Sequence, residues 1–267
     1  MSQNTKTLRV RIKSVNSTMQ LTNAMGLVAS SKIRRANEAM LKGRAYSEAL
    51  DSTMNVLTSD RESLKSPYMK EREALRTRLI VIAGDRGLAG GYNVNVFRLA
   101  SEYPDAEIIP IGRRACDRYE KDYVSSEKYS FNEAYALAEE LCRDFSEEKF
   151  DRLGIIWTKY NSIMSQEAVL TWLLPLRKYE GKDIPGIVFE PDHLTVLNNI
   201  VREYVAGKIT VCIRESFASE VSARRMAMDS SSKNAQKMIN DLQLEYNRAR
   251  QGAITQEITE IVAGSGN

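Results

Sequence analysis

Residues 8–57 read LRVRIKSVNSTMQLTNAMGLVASSKIRRANEAMLKGRAYSEALDSTMNVL, and this stretch decides the fold. Apolar or small residues recur along it at alternating intervals of four and three positions, and no interval is skipped. This spacing, sustained over about seven heptads, predicts one long helix with the seam of a left-handed coiled coil. The seam residues are Leu8, Ile12, Val15, Met19, Thr22, Gly26, Ala29, Ile33, Ala36, Met40, Gly43, Ser47, Leu50, Met54 and Leu57.

Proline is confined to the middle of the chain. All six prolines lie between Pro67 and Pro191, so the 66 residues before them and the 76 residues after them contain none. Because proline interrupts the interior of a helix, both ends of the chain are free to form long helices. We expect the first helix to begin near Thr5 or Thr7, either of which could cap it, and to run to about Asp60. At about 1.5 Å per residue it would be roughly 75 to 80 Å long, which exceeds the width of a compact domain of this size.

The C-terminal segment predicts a second helical arm. It follows the turn Phe189–Asp192, in which Asp192 is a candidate N-cap. We expect helices over Leu194–Val205 and Lys208–Val262, with a joint at Gly207 between them. The seam of this arm is less regular than that of the first, and its register shifts once along its length.

The two arms are expected to pair antiparallel with each other, because the two ends of a chain that meet across one central body naturally run in opposite directions. The middle of the first seam carries the small residues Thr22, Gly26, Ala29 and Ala36, and residues 216–235 are similarly rich in Ser and Ala. Gly26 lies in this stretch. It indicates either the closest crossing of the two helices or a local weakness that costs about 1 kcal/mol of helix propensity.

The middle of the chain has a different pattern, in which short apolar runs alternate with helical stretches. The predicted strands are Arg78–Ala83, Glu107–Ile111, Leu153–Thr158 and Ala168–Leu174, the last antiparallel to its predecessor. The predicted helices are Asn93–Tyr103, Arg113–Tyr119 and Phe131–Glu148. Such alternation is typical of βαβ units and of a mostly parallel sheet that is covered on both faces.

The predicted fold class is therefore α/β. It combines a long antiparallel coiled coil of the N- and C-terminal helices with a Rossmann-like, mostly parallel α/β body. We expect three domains, which are an N-terminal coiled-coil helix (1–62), an α/β body (63–192) and a C-terminal helical arm of the coiled coil (193–267).

The composition excludes several classes of protein. Apolar residues make up 43% and charged residues 27% of the 267 residues, which is ordinary for a folded protein. We expect no membrane span and no secretory signal, because there is no apolar run of the required length and the N-terminus is polar and basic. The three cysteines are far apart and lack CxxC spacing, which favours reduced thiols over a disulfide framework or metal site. With one histidine, His193, the chain offers little for imidazole chemistry. We expect no catalytic, cofactor or metal site.

The charge is unevenly distributed. Residues 1–50 carry nine Lys and Arg against two Glu, whereas the whole chain has a net charge of +3. A long basic helix attached to a mildly acidic body indicates either a solvated helix face or a partner with an acidic surface. Nucleic acid is a weaker alternative, because the C-terminal arm lacks excess positive charge and no nucleic-acid-binding module is present.

The stretch most suggestive of an enzyme is GDRGLAGGYN, residues 84–93, between a predicted strand and a predicted helix. Glycine-rich turns at this place can hold phosphates, because backbone N–H groups and the helix N-terminus attract anions. Its spacing, GxxGxxGG, matches neither dinucleotide-binding nor P-loop signatures, and no lysine follows to reach a phosphate. A structural turn is the favoured interpretation, and a nucleotide-dependent enzyme remains the alternative.

The two arms and the glycine-rich stretch together resemble one family, the gamma subunits, or central rotor stalks, of bacterial F-type ATP synthases. The resemblance extends over the whole chain and in the same order. It rests on RIKSVNSTMQLTNAMGLVASSKIRRAN (11–37), DRGLAGGYN (85–93), FEPD (189–192), ESFASEVSARRMAM (215–228) and LQLEYNRARQGAITQEITEIVAG (242–264). In the glycine-rich stretch, Ala89 stands where the family usually has cysteine.

The resemblance implies a non-catalytic shaft with no cofactor. Such a shaft penetrates a ring of three alpha and three beta subunits and stands on the epsilon subunit and the membrane c-ring, with one copy per complex. Its rotation forces the catalytic sites of the ring into different conformations, so it transmits torque between ion flow and ATP synthesis or hydrolysis. The family implies a peripheral membrane protein on the cytoplasmic face of the bacterial cell membrane, and it implies no nucleic-acid partner.

The resemblance also implies particular contacts. Positions that match contacts with the beta subunit are Met25, Arg224, Arg250, Gln251 and Thr255. Glu190, in the FEPD turn, matches a residue near the c-ring and the epsilon subunit.

Overall fold

The computed structural model describes residues 3–73, 75–181 and 189–264. The chain forms, in order, α1 (Gln3–Ser59), β1 (Thr77–Ile82), α2 (Tyr92–Ala100), β2 (Glu107–Ile111), α3 (Arg113–Arg118), α4 (Phe131–Ser146), β3 (Arg152–Ser162), β4 (Ser165–Leu174) and α5 (His193–Gly264). Two short 3₁₀ helices, Arg61–Lys65 and Pro67–Met69, follow α1. The predicted fold class, two long terminal helices and an α/β body between them, is confirmed.

The predicted seam of α1 is confirmed by burial, because all fifteen seam residues are buried or half-buried. The expected start of the helix was wrong. The helix begins at Gln3, so Thr5 and Thr7 lie inside its first turns rather than at its cap. Its end at Ser59 is one residue short of the predicted Asp60, whose carboxylate instead accepts the Glu62 N–H at 2.8 Å and caps the next 3₁₀ helix.

The second arm is one unbroken helix, so the expected joint at Gly207 is absent. Gly207 has a packing role instead. A Cβ at that position would lie 2.3 Å from Leu50 Cδ1 and 3.0 Å from Tyr46 Cε1, so glycine permits the close approach of α1. Asp192 is confirmed as the N-cap, since its carboxylate accepts the Thr195 N–H at 2.9 Å.

The chain divides into two compact units, residues 1–30 with 224–267 and residues 31–223, and the divisions fall inside α1 and α5. In the first unit, Thr22 Oγ1 lies 2.7 Å from Ser232 Oγ, and a Cβ on Gly26 would lie 3.6 Å from Met228 Cβ. In this unit the residue numbers rise along α1 as they fall along α5, so the two helices run antiparallel. A Cβ on Gly26 would make only an ordinary van der Waals contact, so close helix crossing does not require glycine there.

The second unit has the same antiparallel arrangement of helices. Gly43 faces Val211, and Lys208 Nζ donates to Asp51 Oδ2 at 2.6 Å and to Ser47 Oγ at 2.8 Å. The predicted antiparallel pairing of the arms is thus observed within each unit.

The sheet of the second unit has the strand order β2-β1-β3-β4. β1 is parallel to both β2 and β3, and β4 is antiparallel to β3, as predicted. Alternate residues of β1 enter cores on opposite faces of the sheet, because successive side chains of a strand point to opposite sides. Ile80 and Ile82 pack with α4 and the beginning of α5, whereas Leu79 and Val81 pack with Val96 of α2. A fully buried isoleucine of this kind contributes about 1.5–3 kcal/mol to folding.

Candidate functional site

The glycine turn, Gly84–Gly91, follows β1 and precedes α2. The turn lies at the carboxyl end of β1. From there the chain continues through α2 to β2, which lies on one side of β1, whereas β3, on the other side, comes later in the chain. This is the topological switch point, the place where open α/β sheets bind their ligands. A nucleotide site, the alternative that the sequence left open, would therefore lie at this turn.

The chain's own charged side chains occupy the glycine turn. A Cβ on Gly84 would lie 2.7 Å from Glu220 Cδ and 2.8 Å from Glu220 Oε1, and one on Gly87 would lie 2.6 Å from Arg114 Nη2. Glu220 belongs to α5 and is 3% exposed. A buried carboxyl group of the chain itself thus lies against the first glycine of the turn. This arrangement favours the structural interpretation of the turn over nucleotide binding.

Asp85, the next residue of the turn, holds two loops together. Its carboxylate accepts the backbone N–H groups of Arg113, Ser126 and Glu127 at 3.0 to 3.1 Å and the Ser125 hydroxyl at 2.7 Å. Burial opposes ionisation of this carboxylate, but the donated hydrogen bonds outweigh burial and lower the pKa of Asp85. The aspartate of the motif is therefore structural.

Glycine is required where β2 meets this loop. Gly112 has φ +96°, and a Cβ there would lie 1.9 Å from the Ala83 carbonyl oxygen. Gly112 has a positive φ, and its backbone lies so close to the backbone of Ala83 that a side chain would not fit between them. It brings the start of α3 against the glycine turn, where Arg114 N–H donates to the Gly84 carbonyl at 3.1 Å.

A second feature of the site is the open edge of β3. The paired register of β1 and β3 ends at Val81 and Ile156, so β1 does not reach the backbone groups of Thr158 and Tyr160 on that edge. Buried backbone polar groups need partners. Side chains of α5 and α1 supply them.

Two serines of α5 pair the backbone of Thr158. Ser216 Oγ accepts the Thr158 N–H at 3.0 Å, and Ser219 Oγ donates to the Thr158 carbonyl at 3.1 Å. In return the Tyr92 hydroxyl, at the start of α2, donates to the Ser216 carbonyl at 3.1 Å. The helix therefore continues the hydrogen bonding of the sheet with side chains in place of a strand.

An ion pair completes the same edge. Glu215 Oε1 accepts the Tyr160 N–H at 3.0 Å, and Arg44 of α1 donates to the Tyr160 carbonyl at 2.6 Å. Arg44 also donates to both carboxylate oxygens of Glu215, at 2.6 and 3.2 Å. The hydrogen bond to Glu215 raises the pKa of Arg44. We call Glu215, Ser216, Ser219 and Glu220 the clamp face.

The clamp face was not predicted from the sequence. Its residues lie in a segment that was interpreted as a small-residue part of a coiled-coil seam. The available signal was the spacing, because two Glu/Ser pairs, 215 with 219 and 216 with 220, recur at four residues on one helical face among apolar neighbours. All four residues are buried.

The residues carried over from the family resemblance lie elsewhere. Five belong to the unit of residues 1–30 and 224–267, and Glu190 belongs to the other unit. Met25 and Arg224 are half-buried, whereas Arg250, Gln251, Thr255 and Glu190 are exposed. Arg250, Gln251 and Thr255 fall within six successive residues of α5, and Thr255 Oγ1 donates to the Gln251 carbonyl at 3.0 Å.

Three further observations concern the described residues, 3–73, 75–181 and 189–264. None of their helices has an apolar stretch suited to crossing a membrane. They contain no group of three or more His, Cys, Asp or Glu side chains placed to hold a metal ion. All three cysteines are free and buried.

Comparison with known proteins assigns the chain to a family. A family model described as ATP synthase matches residues 4–266. The ATP synthase gamma chain of Ruminococcus albus is 39% identical over 282 residues, covering 99% of this chain and 98% of the relative. The chain belongs to the ATP synthase gamma chain family. A second gamma chain, described as sodium ion specific and from Acetobacterium woodii, is 35% identical over 99% of both chains.

Solved structures share the fold of this chain. A chain of the Euglena gracilis mitochondrial ATP synthase has a TM-score of 0.68 at 17% identity, covering 98% of this chain and 93% of that one. A chain from the central stalk and c-ring structure of the Tetrahymena thermophila mitochondrial ATP synthase has a TM-score of 0.66 at 22% identity, covering 79% and 99%.

Proposed function

We propose that this chain is the non-catalytic rotor shaft of an F-type ATP synthase. It transmits torque between the membrane c-ring and the catalytic ring of alpha and beta subunits, and so couples ion flow to ATP synthesis or hydrolysis. The observation that carries the proposal is the match to gamma chains over nearly the full length. The helices of 57 and 72 residues and their antiparallel pairing within each unit suit a shaft.

The partners follow from this function. One copy of the chain works with three alpha subunits, three beta subunits, an epsilon subunit and a c-ring. The protein is peripheral to the membrane, and we place it on the cytoplasmic face of a bacterial cell membrane. The beginning of α1 exposes four basic side chains, those of Lys6, Arg9, Arg11 and Lys13. They favour a partner surface that carries acidic groups.

We assign contacts with the beta subunit to Met25, Arg224, Arg250, Gln251 and Thr255. The exposure of Arg250, Gln251 and Thr255 supports this assignment, because these side chains are available to a partner. The same end of α5 exposes Ile254, Ile258 and Ile261, whose side chains would be stabilised by a protein surface that excludes water.

We assign Glu190 to the end of the molecule that meets the c-ring and the epsilon subunit. The side chain is exposed and directly precedes the N-cap region of α5. An exposed carboxylate at the beginning of a long helix is placed to meet basic groups of a partner.

The test of the shaft is assembly. The chain is co-expressed with tagged alpha and beta subunits from the same source, and the product is weighed intact by native mass spectrometry. A complex of three alpha, three beta and one copy of this chain is expected. Recovery of the alpha and beta subunits with no copy of the chain would overturn the proposal.

The test of the contact residues uses two glutamines on the same helix. Gln251→Ala is expected to reduce ATP-driven ion pumping by the assembled enzyme, as are Arg250→Ala and Thr255→Ala. Gln256→Ala is the matched control, because Gln256 is also exposed but lies ~140° around the helix from Gln251. Equal pumping by the three contact variants and the control would contradict the assignment.

A further inference from the structure

The body and α5 are connected by buried polar groups as well as by apolar packing. We propose that the clamp face, Glu215, Ser216, Ser219 and Glu220, is the joint through which the α/β body turns α5. Its residues are then positioning residues for coupling, although none touches a nucleotide or an ion. This inference rests on the proposed function, since it says how torque passes within the shaft.

The hydrogen bonds at Thr158 give the joint its directional character. Apolar packing has no preferred direction, so it resists rotation of a helix about its own axis less well than hydrogen bonds of fixed geometry do. Ser216 and Ser219 hold the N–H and the carbonyl of the same residue, Thr158, at 3.0 and 3.1 Å. A rotation or an axial slide of α5 relative to β3 would break both bonds.

Glu220 provides a second point of contact, in the turn that follows β1. Its carboxyl group lies against Gly84, where a Cβ would come within 2.7 Å of Glu220 Cδ. Because the side chain is almost completely buried, moving it would leave a space at the turn and require new partners for a buried polar group. The two contacts, one on β3 and one in the turn that follows the neighbouring strand β1, together resist twisting of α5 against the body.

The third attachment includes α1. Arg44 links Glu215 of α5 to the Tyr160 carbonyl of β3, so one guanidinium contacts both long helices and the sheet. Lys208 joins α5 to Asp51 of α1 by an ion pair of 2.6 Å. A torque on the sheet is therefore passed to α1 as well as to α5.

The experiment removes the two hydroxyl groups without changing charge. Ser216→Ala/Ser219→Ala is assembled into the complete enzyme in membrane vesicles, and ATP hydrolysis and ATP-driven ion uptake are measured on the same preparation. We expect hydrolysis per assembled complex to stay within about twofold of the parent and ions taken up per ATP to fall at least threefold. Ser230→Ala/Ser231→Ala is the matched control, because both serines are exposed on the same helix, and it should keep the parent ratio.

The ratio of ions to ATP separates coupling from stability. A less stable chain lowers the number of assembled complexes, but it leaves the ratio of each intact complex unchanged. If the double variant takes up as many ions per ATP as the parent, the proposal is overturned, whether or not the yield of assembled complex falls. If the double variant fails to assemble, Ser216→Ala and Ser219→Ala are measured singly, and parent-like ratios in both would overturn it equally. Failure of the parent chain to assemble with alpha and beta subunits would instead contradict the proposed function.

Discussion

The helix α5 has opposite surface patterns in its two parts. Near the sheet it buries polar residues, with Glu215, Ser216, Ser219 and Glu220 each at most 4% exposed. Towards its C-terminus it exposes apolar residues, with Ile258 at 55% and Ile261 at 70%. Within one helix, then, position in the fold rather than residue type decides which side chains are covered.

The difference shows which part of the helix finds its contact partners within the chain and which part does not. Glu215, Ser216 and Ser219 form hydrogen bonds with the backbone of β3, so these buried polar groups have their partners within the isolated chain. The exposed apolar residues contribute no burial energy in the isolated chain, and they would contribute it only where a partner covers them. Substitutions in the first part should therefore affect folding, and substitutions in the second part should affect assembly.

The largest effect is expected for Glu215→Ala. It leaves the Tyr160 N–H without its acceptor and Arg44 without its carboxylate, and because Arg44 is partly exposed we expect a loss of about 2–3 kcal/mol of unfolding free energy. Urea unfolding followed by the fluorescence of Trp157 and Trp172, both in the sheet, measures this loss.

Glu245→Ala is the control for that measurement, because Glu245 is exposed on the same helix. It should change the unfolding free energy by no more than about 0.5 kcal/mol. Similar values for the two variants would show that the clamp face does not differ energetically from the rest of α5.

Two glycines give a second contrast. Gly84→Ala should destabilise the chain by about 1–2 kcal/mol, because its methyl group would meet the buried Glu220 carboxyl. Gly252→Ala should instead raise stability by about 0.5–1 kcal/mol, because nothing lies within 4 Å and alanine favours helix. Thermal unfolding followed by circular dichroism distinguishes the two signs.

A double variant refines the glycine comparison. In a Glu220→Ala background, Gly84→Ala should cost less than it does alone, because the colliding carboxyl is gone. Equal costs in the two backgrounds would mean that the turn relaxes around the methyl group without involving Glu220.

The unfolding free energy of the α/β body should also depend on pH. The pKa of Asp85 is lower in the folded chain than the unperturbed value of about 3.9, so its contribution is complete well above pH 4. The contribution is lost as the pH falls through the lowered folded pKa. Asp85→Asn removes this titration, so its unfolding free energy should vary less between pH 5 and pH 2 than that of the parent. An unchanged pH profile in the variant would refute the role of Asp85.

The smallest effect on folding is expected at the exposed end of α5. Ile258→Ser and Ile261→Ser should each change the unfolding free energy of the chain by less than about 0.5 kcal/mol. Their effect should be seen in the yield of the complex with alpha and beta subunits. A large loss of stability in the isolated chain would show that these residues are covered within the chain itself.

Local patterns in the sequence were sufficient for most of the fold. The heptad seam depends on spacing within one helix, and all its predicted positions are covered. The apolar runs of β1 and β2 predicted strands that are covered on both faces, and Glu107–Ile111 matches the predicted bounds. These features could be predicted because each depends on residues that are close together in the sequence.

Apart from the start of α1, the errors and omissions concern contacts between distant residues. Gly207 was interpreted as a joint because glycine weakens helices. In the structure its lack of a side chain lets Leu50, which is far away in the sequence, pack closely against α5. The clamp face was missed because the need for Ser216 and Ser219 arises at Thr158, where β1 has ended. Where one strand stops beside another is set by the assembled sheet and is not visible in either segment alone.

The open edge of β3 has a consequence for the order in which the chain is made. All four strands have been synthesised once residue 174 is added, but the groups that pair the backbone of Thr158 and Tyr160 on the α5 side come some forty residues later. Until then the edge offers free N–H and carbonyl groups to any extended peptide, as unprotected sheet edges do. A chain truncated before Glu215 would keep that edge permanently, so premature termination is expected to give a product that associates with itself.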